Sequence, residues 1–265
     1  MSNTVDLKIF HPYQVEGLQR LGNKHDGGYV VHVPSLQYVD CLLNYGVGYN
    51  VKFEKQFYKL TKKPVYAFDP TLKTTSYITN ELKGGEWYTG SKHIFRLIMW
   101  QLQEKNLPKY GIHFIEEGLA GSNSGLFKTL DYHLSKYNLL NKKFFLKIDI
   151  EGSEYDVLKE ESFYNHVQNV VQMVFEFHYV KEKLPELAEI MKRLSQTHSL
   201  IHIHANNNAG TFDYNGKNVP EVLEVVFLHN SFLPQKELTQ KSYPVEGLDF
   251  PCNWRRKDVV VDFFT

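Results

Sequence analysis

The sequence predicts an α/β fold, a Rossmann-like, mostly parallel sheet of seven strands with helices on both faces and an antiparallel last strand. Short apolar runs alternate with segments whose apolar residues recur every three or four positions. A parallel connection needs a crossover long enough to hold a helix, so this alternation favours a parallel sheet. After residue 204 the chain becomes rich in turn residues and poor in helix, which favours a hairpin-like return and an antiparallel last strand.

The elements follow one another along the whole chain. Strand-like runs are residues 38–45, 64–68, 112–115, 144–150, 170–177, 200–204 and 222–228. Helical patterns cover residues 51–61, 92–105, 125–140, 153–164 and 183–196. The absence of repeats and long linkers favours a single domain over residues 1–265. Within it, we expect residues 1–37 to form an N-terminal flap and residues 77–110 to be an insertion that adds surface to a binding site.

Composition narrows the functional classes. The 265 residues include 30 Lys and Arg and 30 Asp and Glu, so the formal net charge is zero and no overall positive field favours nucleic acid. No apolar run approaches the roughly 18 to 20 residues of a membrane span, and the first residues lack the pattern of an export signal. Cys41 and Cys252 lie far apart and form no CxxC pair, which fits a reducing cytoplasm. The aromatic content of 14% leaves a homodimer open.

The segment after the first strand has the character of a ligand-binding turn. In LNYGVGYNVKFE, Gly46 and Gly48 stand between an apolar strand and a helix, where a ligand can approach the backbone or where the chain simply needs a tight turn. Asp69 ends the second strand about 20 residues later, a position suited to binding a ribose or to capping the turn before Pro70. A full GxGxxG is absent because Val51 takes the place of the third glycine. A nucleoside ligand is therefore expected, either a dinucleotide or S-adenosylmethionine.

Several longer motifs indicate a family. The segments DGGYVV (26–31), EEGLAG (116–121), KIDIEGSEYDVL (147–158) and HIHANN (202–207) resemble those of the FkbM-like methyltransferases. That resemblance implies the class I methyltransferase fold, S-adenosylmethionine as cofactor, and O-methylation of sugars or other small metabolites, often in bacterial polysaccharide or natural-product pathways. One feature departs from the family, since the first-strand motif usually carries an acidic residue where this chain has Asn44 or Tyr45.

The resemblance also implies where the donor binds. The methionine part would be lined by Tyr45, Gly46 and Gly48, the ribose by Asp69 beside Pro70, and the adenine by the EEGLAG segment with Gly118, Leu119 and Ala120. Asp149 follows the fourth strand, where both donor and catalytic centre are expected. The adjacent Gly27 and Gly28 permit a hairpin that we expect to fold over the donor site.

Proton removal from an acceptor hydroxyl requires a base or a metal ion. Asp149 and Glu151 follow the fourth strand, while Glu176 and His178 share a face at the end of the fifth by strand alternation. His202 and His204 repeat that spacing on the sixth strand. We expect His178 to be the base, with His204 as the second candidate; ordinary capping or core roles are the alternatives. Asp149, Glu176, His178 and His204 could instead hold a divalent cation, although no pair has a diagnostic spacing and no metal is expected.

The acceptor is expected to contact Trp87, Tyr88 and His93 of the insertion, together with His202 and Asn206. The leading hypothesis is an S-adenosylmethionine-dependent O-methyltransferase acting on a sugar, a sugar nucleotide or a polysaccharide precursor. Two alternatives stay open at this point. One is an NAD-dependent oxidoreductase on the same kind of doubly wound sheet, and the other is a nucleoside-binding module without catalysis.

Overall fold

The structure, a computed structural model, describes residues 4–72 and 99–265. Its strands are β1 (Leu18–Gly22), β2 (Gly28–His32), β3 (Cys41–Tyr45), β4 (Val65–Phe68), β5 (Ile112–Ile115), β6 (Gly118–Leu119), β7 (Phe127–Lys128), β8 (Phe144–Ile148), β9 (Val170–Phe177), β10 (His198–Ala205), β11 (Thr211–Tyr214), β12 (Lys217–Pro220) and β13 (Leu223–His229). The α-helices are α1 (Lys52–Thr61), α2 (Leu130–Lys136), α3 (Glu154–Leu158), α4 (Glu161–Tyr164) and α5 (Val180–Leu194), and residues 99–104 are also helical. Short 3₁₀ helices are Leu7–Phe10, Val33–Tyr38, Leu107–Tyr110, Val167–Asn169 and Asn230–Phe232.

All seven predicted strands meet in one central sheet. Their order is β10-β13-β9-β8-β3-β4-β5. The pairs β3–β4, β4–β5, β3–β8 and β8–β9 are parallel, whereas β13 runs antiparallel to both β9 and β10. The predicted fold class is therefore confirmed, including the antiparallel last strand, and the sheet is the one that the resemblance implies.

Helices and loops cover both faces of this sheet. Successive side chains of a strand point to opposite faces, so Leu42 of β3 packs in the same buried cluster as Phe53 and Phe57 of α1. Leu43, the next residue of β3, packs in a second cluster that includes residues of α2 and α5. The spacing of Phe53 and Phe57, four residues apart, gives α1 the apolar stripe that holds it on the sheet.

Helix lengths differ from the sequence prediction. The pattern over 125–140 forms a helix only at Leu130–Lys136, because residues 127 and 128 pair as β7 and the Thr129 hydroxyl caps the helix by accepting from Tyr132 N. The pattern over 153–164 divides into α3 and α4, and that over 183–196 begins earlier, at Val180. Residues 92–98 of the second helical pattern lie outside the described part of the chain.

Two hairpins and the C-terminal part of the chain lie outside the central sheet. The predicted N-terminal hairpin is present, with Gly22 paired with Gly28 at its turn. A second hairpin, β11–β12, lies between β10 and β13. Four residues of the last part of the chain are buried against the rest of the protein, namely Cys252, Val261, Phe263 and Phe264. Within residues 4–72 and 99–265, no helix has both the length and the apolar character needed to cross a membrane.

Candidate functional site

A cavity of about 910 Å³ opens at the carboxyl ends of the central strands. The chain proceeds from β3 outward to β4 and β5 on one side, and later from β8 to β9 on the other, so strand order reverses between β3 and β8. Ligands of open α/β sheets bind at such a reversal, because the connections diverge to opposite faces and leave a crevice. The cavity lies at this point, lined by the β3–α1 turn, the end of β4, β6, the turn after β8, the end of β9 and the N-terminal hairpin.

The two glycines of the β3–α1 turn have different functions. Both have positive φ, 79° for Gly46 and 58° for Gly48. A Cβ built on Gly46 would overlap the carbonyl oxygen of Asp149, so this glycine permits close approach of the turns after β3 and β8. A Cβ on Gly48 would have no described atom within 4 Å. Gly48 is thus the position where a ligand can approach the backbone.

Asp69 joins this turn to the end of β4. Its Oδ2 accepts a hydrogen bond from Gly48 N at 3.0 Å, and its Oδ1 accepts from the Thr71 backbone at 2.8 Å and the Thr71 hydroxyl at 2.6 Å. Asp69 therefore does cap a turn, yet it also lines the cavity beside Pro70. Oδ2 keeps a second lone pair that can accept from a ligand hydroxyl, whereas both lone pairs of Oδ1 already accept from Thr71, so a second ligand hydroxyl would take the place of the Thr71 hydroxyl.

The predicted adenine wall is only partly present. Gly118 and Leu119 line the cavity near Pro70. Ala120, by contrast, is not among the lining residues, and its backbone N–H pairs with the Lys128 carbonyl at 2.9 Å in continuation of β6–β7. The prediction for Ala120 is corrected accordingly.

At the other end of the cavity, acidic side chains surround His178. The His178 Nε2 lies 3.5 Å from Glu151 Oε2 and 3.7 Å from Glu176 Oε1, while its Nδ1 lies 3.2 Å from Glu154 Oε1. Glu176 and His178 share one face, as strand alternation predicts. Sequence reasoning missed Glu154, which is fully buried in α3 and also accepts from Ile150 N at 2.9 Å.

These carboxylates determine the charge of His178. Burial alone lowers its pKa, but the hydrogen bond to Glu154 and the charges of Glu154, Glu176 and Asp149 raise the pKa to about 9. The pKa of Glu176 is raised well above its usual range by burial and by the charges of Asp149 and Glu224. The raised pKa of His178 favours its cationic form at neutral pH. Because Nδ1 faces Glu154, Nε2 is the nitrogen directed toward Glu151 and Glu176.

Asp149 is held by two groups that sequence reasoning did not assign to the site. Its Oδ2 accepts from Tyr29 Oη at 2.7 Å and from Lys147 Nζ at 3.2 Å. The Lys147 ammonium also lies 4.4 Å from the centre of the Tyr29 ring. Tyr29 belongs to β2, so this contact fixes the N-terminal hairpin against the end of β8. Asp26, Gly27 and Tyr29 line the cavity, which places the hairpin at the site as expected.

Two residues predicted to bind the donor lie elsewhere. Tyr45 points to the opposite face of the sheet, where its ring stacks on Phe68 at 4.5 Å and its hydroxyl meets His133 Nδ1 at 3.2 Å. Gly28 lies in the hairpin, where a Cβ would overlap the Asn23 carbonyl oxygen. Neither lines the cavity, so both are corrections: Tyr45 is a core residue and Gly28 serves the hairpin turn.

The histidines of β10 are also placed differently from the prediction. His204 Nδ1 lies 3.2 Å from Glu224 and Nε2 lies 3.1 Å from Asp258, and His202 Nε2 lies 2.8 Å from Asp249. Neither histidine lines the cavity, because β13 inserts between β9 and β10 and moves β10 to the sheet edge. Burial lowers the pKa of His204, but hydrogen bonds to Asp258 and Glu224 raise it to about 10, so this histidine is a structural cation.

The structure describes only some of the residues that were predicted to contact the acceptor. Trp87, Tyr88 and His93 lie outside the described residues. Asn206 lines the cavity and donates to Glu176 Oε1 at 2.8 Å.

Two groups of side chains among the described residues could hold a metal ion. Asp149, Glu151 and His178 can each direct a ligand atom to a common point, with these atoms within 4.8 Å of one another. A second group of this kind is buried and consists of His204 on β10, Glu224 on β13 and Cys252.

Comparison with known proteins supports the family resemblance that the sequence motifs indicate. Residues 128–200 match the family described as the Methyltransferase FkbM domain, which confirms the resemblance over that segment. It contains β8, the turn with Asp149 and Glu151, and His178. This match supports the assignment of the protein as a methyltransferase. No curated protein is significantly similar in sequence.

Two solved structures share low similarity with the chain. A Clostridium thermocellum protein assigned as an rRNA methylase is 13% identical, with a TM-score of 0.37 over 73% of this chain and 90% of that one. An rRNA methylase from Streptococcus thermophilus is 12% identical, with a TM-score of 0.38 over 75% of this chain and 95% of that one. At these scores the likeness carries no conclusion about an acceptor.

Proposed function

We propose that this protein is an S-adenosylmethionine-dependent O-methyltransferase whose acceptor is a sugar, a sugar nucleotide or a polysaccharide precursor in a bacterial surface-polysaccharide or natural-product pathway. One observation carries the proposal. A single cavity joins a nucleoside-type end, formed by the β3–α1 turn and Asp69, to an acid–base end around His178. Methyl transfer requires a donor and an acceptor aligned in one enclosed site, and this arrangement provides both ends.

The residues of the first end fit the donor. The backbone at Gly48 is open to the cavity, and the Asp69 carboxylate lies beside it. Its Oδ2 can accept from one ribose hydroxyl, and its Oδ1 can accept from the other in place of the Thr71 hydroxyl. Pro70, Gly118 and Leu119 provide a mostly apolar wall next to Asp69, suited to an adenine ring. Val51, which stands where a dinucleotide motif has its third glycine, is buried at the start of α1.

The second end fits a hydroxyl-rich acceptor. Glu151, Glu176, Asn206 and Asn208 line it, and carboxylate and amide groups are suited to binding hydroxyls. Acidic groups outnumber the cations Lys147 and His178 here, which disfavours a phosphate at this end. A neutral sugar ring, alone or as the distal part of a larger molecule, suits these side chains best.

The chain's own residues can carry out proton removal. The bound donor would supply an electrophilic methyl group on a positively charged sulfur. Nε2 of His178, in its neutral form, would take the proton of the acceptor hydroxyl during the transfer. Glu154 holds the opposite nitrogen at 3.2 Å and stabilises the imidazolium that forms. A bound sulfonium would lower the pKa of His178 below its value in the free protein, because like charges disfavour each other.

A metal-assisted form of the same reaction is the second candidate. Asp149, Glu151 and His178 present ligand atoms within 4.8 Å of one another, and carboxylates with an imidazole suit a divalent cation. A cation there would polarise the acceptor hydroxyl without a dedicated base. Loss of activity in EDTA, with recovery in Mg²⁺ or Mn²⁺, would favour this form, whereas indifference to EDTA would favour the base.

The proposal is tested by combining binding with product analysis. Isothermal titration should show binding of S-adenosylmethionine and no binding of NAD; the reverse result would favour the oxidoreductase. Methyl-labelled donor is then incubated with sugar nucleotides, saccharides and an RNA transcript, and products are located by mass spectrometry. Label on a carbohydrate oxygen is expected. Label on RNA, or donor binding without transfer to any acceptor, would contradict the proposed activity.

A further inference from the structure

A buried carboxylate beside the glycine turn is incompletely paired. Glu54 lies in the first turn of α1, is 2% exposed and lines the cavity. The side-chain amide of Asn44 on β3 donates to its Oε1. Its Oε2 has no hydrogen-bond partner among the described residues. Glu54 was not among the residues that the sequence indicated for the site.

An ionised carboxylate in this environment favours a cation. Burial raises the pKa of Glu54 to about 7, while the charge of Lys147 and the Asn44 amide act in the opposite direction. Lys147 acts on Glu54 only through its charge, since its Nζ pairs with Asp149 at 3.2 Å and Oε2 of Glu54 has no hydrogen-bond partner among the described residues. Leaving a buried polar atom without a partner costs free energy, which a hydrogen-bond donor in the cavity would recover.

The position of Glu54 indicates which part of a ligand would supply that donor. Asn44 precedes the turn containing Gly46 and Gly48, and Glu54 follows it, so the two side chains meet directly beneath the turn. Asp69, the candidate ribose acceptor, immediately follows β4, which lies on one side of β3. Asn44 is paired in register with both Ala67 of β4 and Lys147 of β8, so it lies between the two strand ends that flank the turn. A nucleoside with its ribose at Asp69 and its 5′ substituent crossing the turn toward the end of β8 would therefore pass Glu54, which lines the same cavity.

We propose that Oε2 of Glu54 binds the ammonium group of the donor's methionine part, so that α1 supplies the negative charge that β3 lacks at Asn44. This inference rests on the proposed function. The neutral Asn44 amide cannot bind an ammonium by charge, but it holds Oε1 and so orients the carboxylate. An ammonium has three N–H donors, one of which satisfies the unpaired oxygen.

The test separates the methionine end from the nucleoside end of the ligand. Binding of S-adenosylhomocysteine, decarboxylated S-adenosylmethionine and 5′-methylthioadenosine is measured by titration for wild type and Glu54→Gln. The first two ligands carry the ammonium and the third does not. Glu54→Gln should weaken the first two by roughly 10- to 100-fold and leave 5′-methylthioadenosine unchanged, because only a charged hydrogen bond is lost. Retained binding of the third ligand also shows that the variant is folded.

Two further variants sharpen the comparison. Glu186→Gln removes a carboxylate from the solvent side of α5 and should leave all three affinities unchanged, which controls for net charge. Asn44→Asp combined with Glu54→Gln returns a carboxylate to β3 and should recover part of the lost affinity. Equal S-adenosylhomocysteine affinity in wild type and Glu54→Gln would overturn the inference while leaving the proposed function intact. Wild-type protein that binds none of the three ligands would refute both.

Discussion

At the scale of single residues, His178 obtains its properties from carboxylates that come from separate parts of the chain. Glu176 lies two residues before it, Glu151 follows β8, and Glu154 belongs to α3. The hydrogen bond to Glu154 and the charges of Glu154, Glu176 and Asp149 raise its pKa to about 9 against the effect of burial. The same groups that orient the imidazole thus also oppose its neutral form, so the base becomes effective when its charge is disfavoured by a bound sulfonium or by alkaline pH.

Replacement of His178 tests its assignment as the base. His178→Ala should lower turnover by about 10²- to 10⁴-fold, because general base catalysis contributes roughly that factor, with donor affinity nearly unchanged. Steady-state kinetics and titration of S-adenosylhomocysteine measure the two quantities. Full activity in the variant, combined with indifference of the wild type to EDTA, would exclude both the base and the metal centred on this residue.

Glu154→Gln tests the electrostatic coupling. A base must be neutral, so the wild-type kcat/KM should rise with pH toward about 9, the pKa of His178 in the free protein. The variant loses the charge that raises this pKa but retains a hydrogen-bonding side chain. Its rising limb should move to lower pH by roughly 1 to 3 pH units. An unshifted profile would show that Glu154 does not control the titration of the base.

Single residues also show what could be predicted from the sequence. Glu176 and His178 are two positions apart on one strand, so alternation alone places them on one face. The contact of Tyr29 with Asp149 joins residues 120 positions apart, and that of His178 with Glu154 joins residues 24 apart. Such contacts depend on how hairpin, strand and helix pack, which no local pattern records. Asp69 is an intermediate case. Its distance along the chain from the glycine turn indicates that it belongs to the site, but does not reveal its hydrogen bonds to Gly48 and Thr71.

At the scale of elements, strands were easier to predict than helices. Each of the seven strands of the central sheet appears in the sequence as a short apolar run, so all seven can be predicted from the sequence. Helical periodicity does not show where a helix stops, so residues 125–140 were predicted as one helix although Phe127 and Lys128 pair with β6. The glycine turn was recognised from its spacing, while the different functions of Gly46 and Gly48 required the approach of β8 to be known.

Alanine substitutions in the glycine turn separate folding from binding. Gly46→Ala introduces a Cβ that overlaps the Asp149 carbonyl oxygen, so a markedly lower melting temperature is expected. Gly48→Ala meets no described atom within 4 Å and should cost only about 1 to 2 kcal/mol for its left-handed backbone, while the added methyl group obstructs the donor. Thermal unfolding and S-adenosylhomocysteine titration measure both effects. A Gly48→Ala protein with wild-type affinity would contradict the placement of the donor at this turn.

At the scale of the whole molecule, strand order decides which candidate residues meet. β3 and β8 are neighbours although many residues separate them, and their carboxyl ends enclose the cavity. The insertion of β13 between β9 and β10 removes His202 and His204 from it. Periodicity identifies strands but does not give their order in the sheet. His178 and His204 therefore look alike in the sequence, each near the end of a strand, although only His178 lines the cavity.

The measurement that tests the central claim most directly is a crystal structure of the protein with S-adenosylhomocysteine. We predict that the ligand occupies the cavity between the ends of β3, β4 and β8, with its ribose hydroxyls on the Asp69 carboxylate. Its sulfur should face the end of the cavity that contains Asp149 and His178, where an acceptor oxygen can approach in line. A ligand bound outside this cavity, or bound within it with the sulfur directed away from His178, would contradict the account.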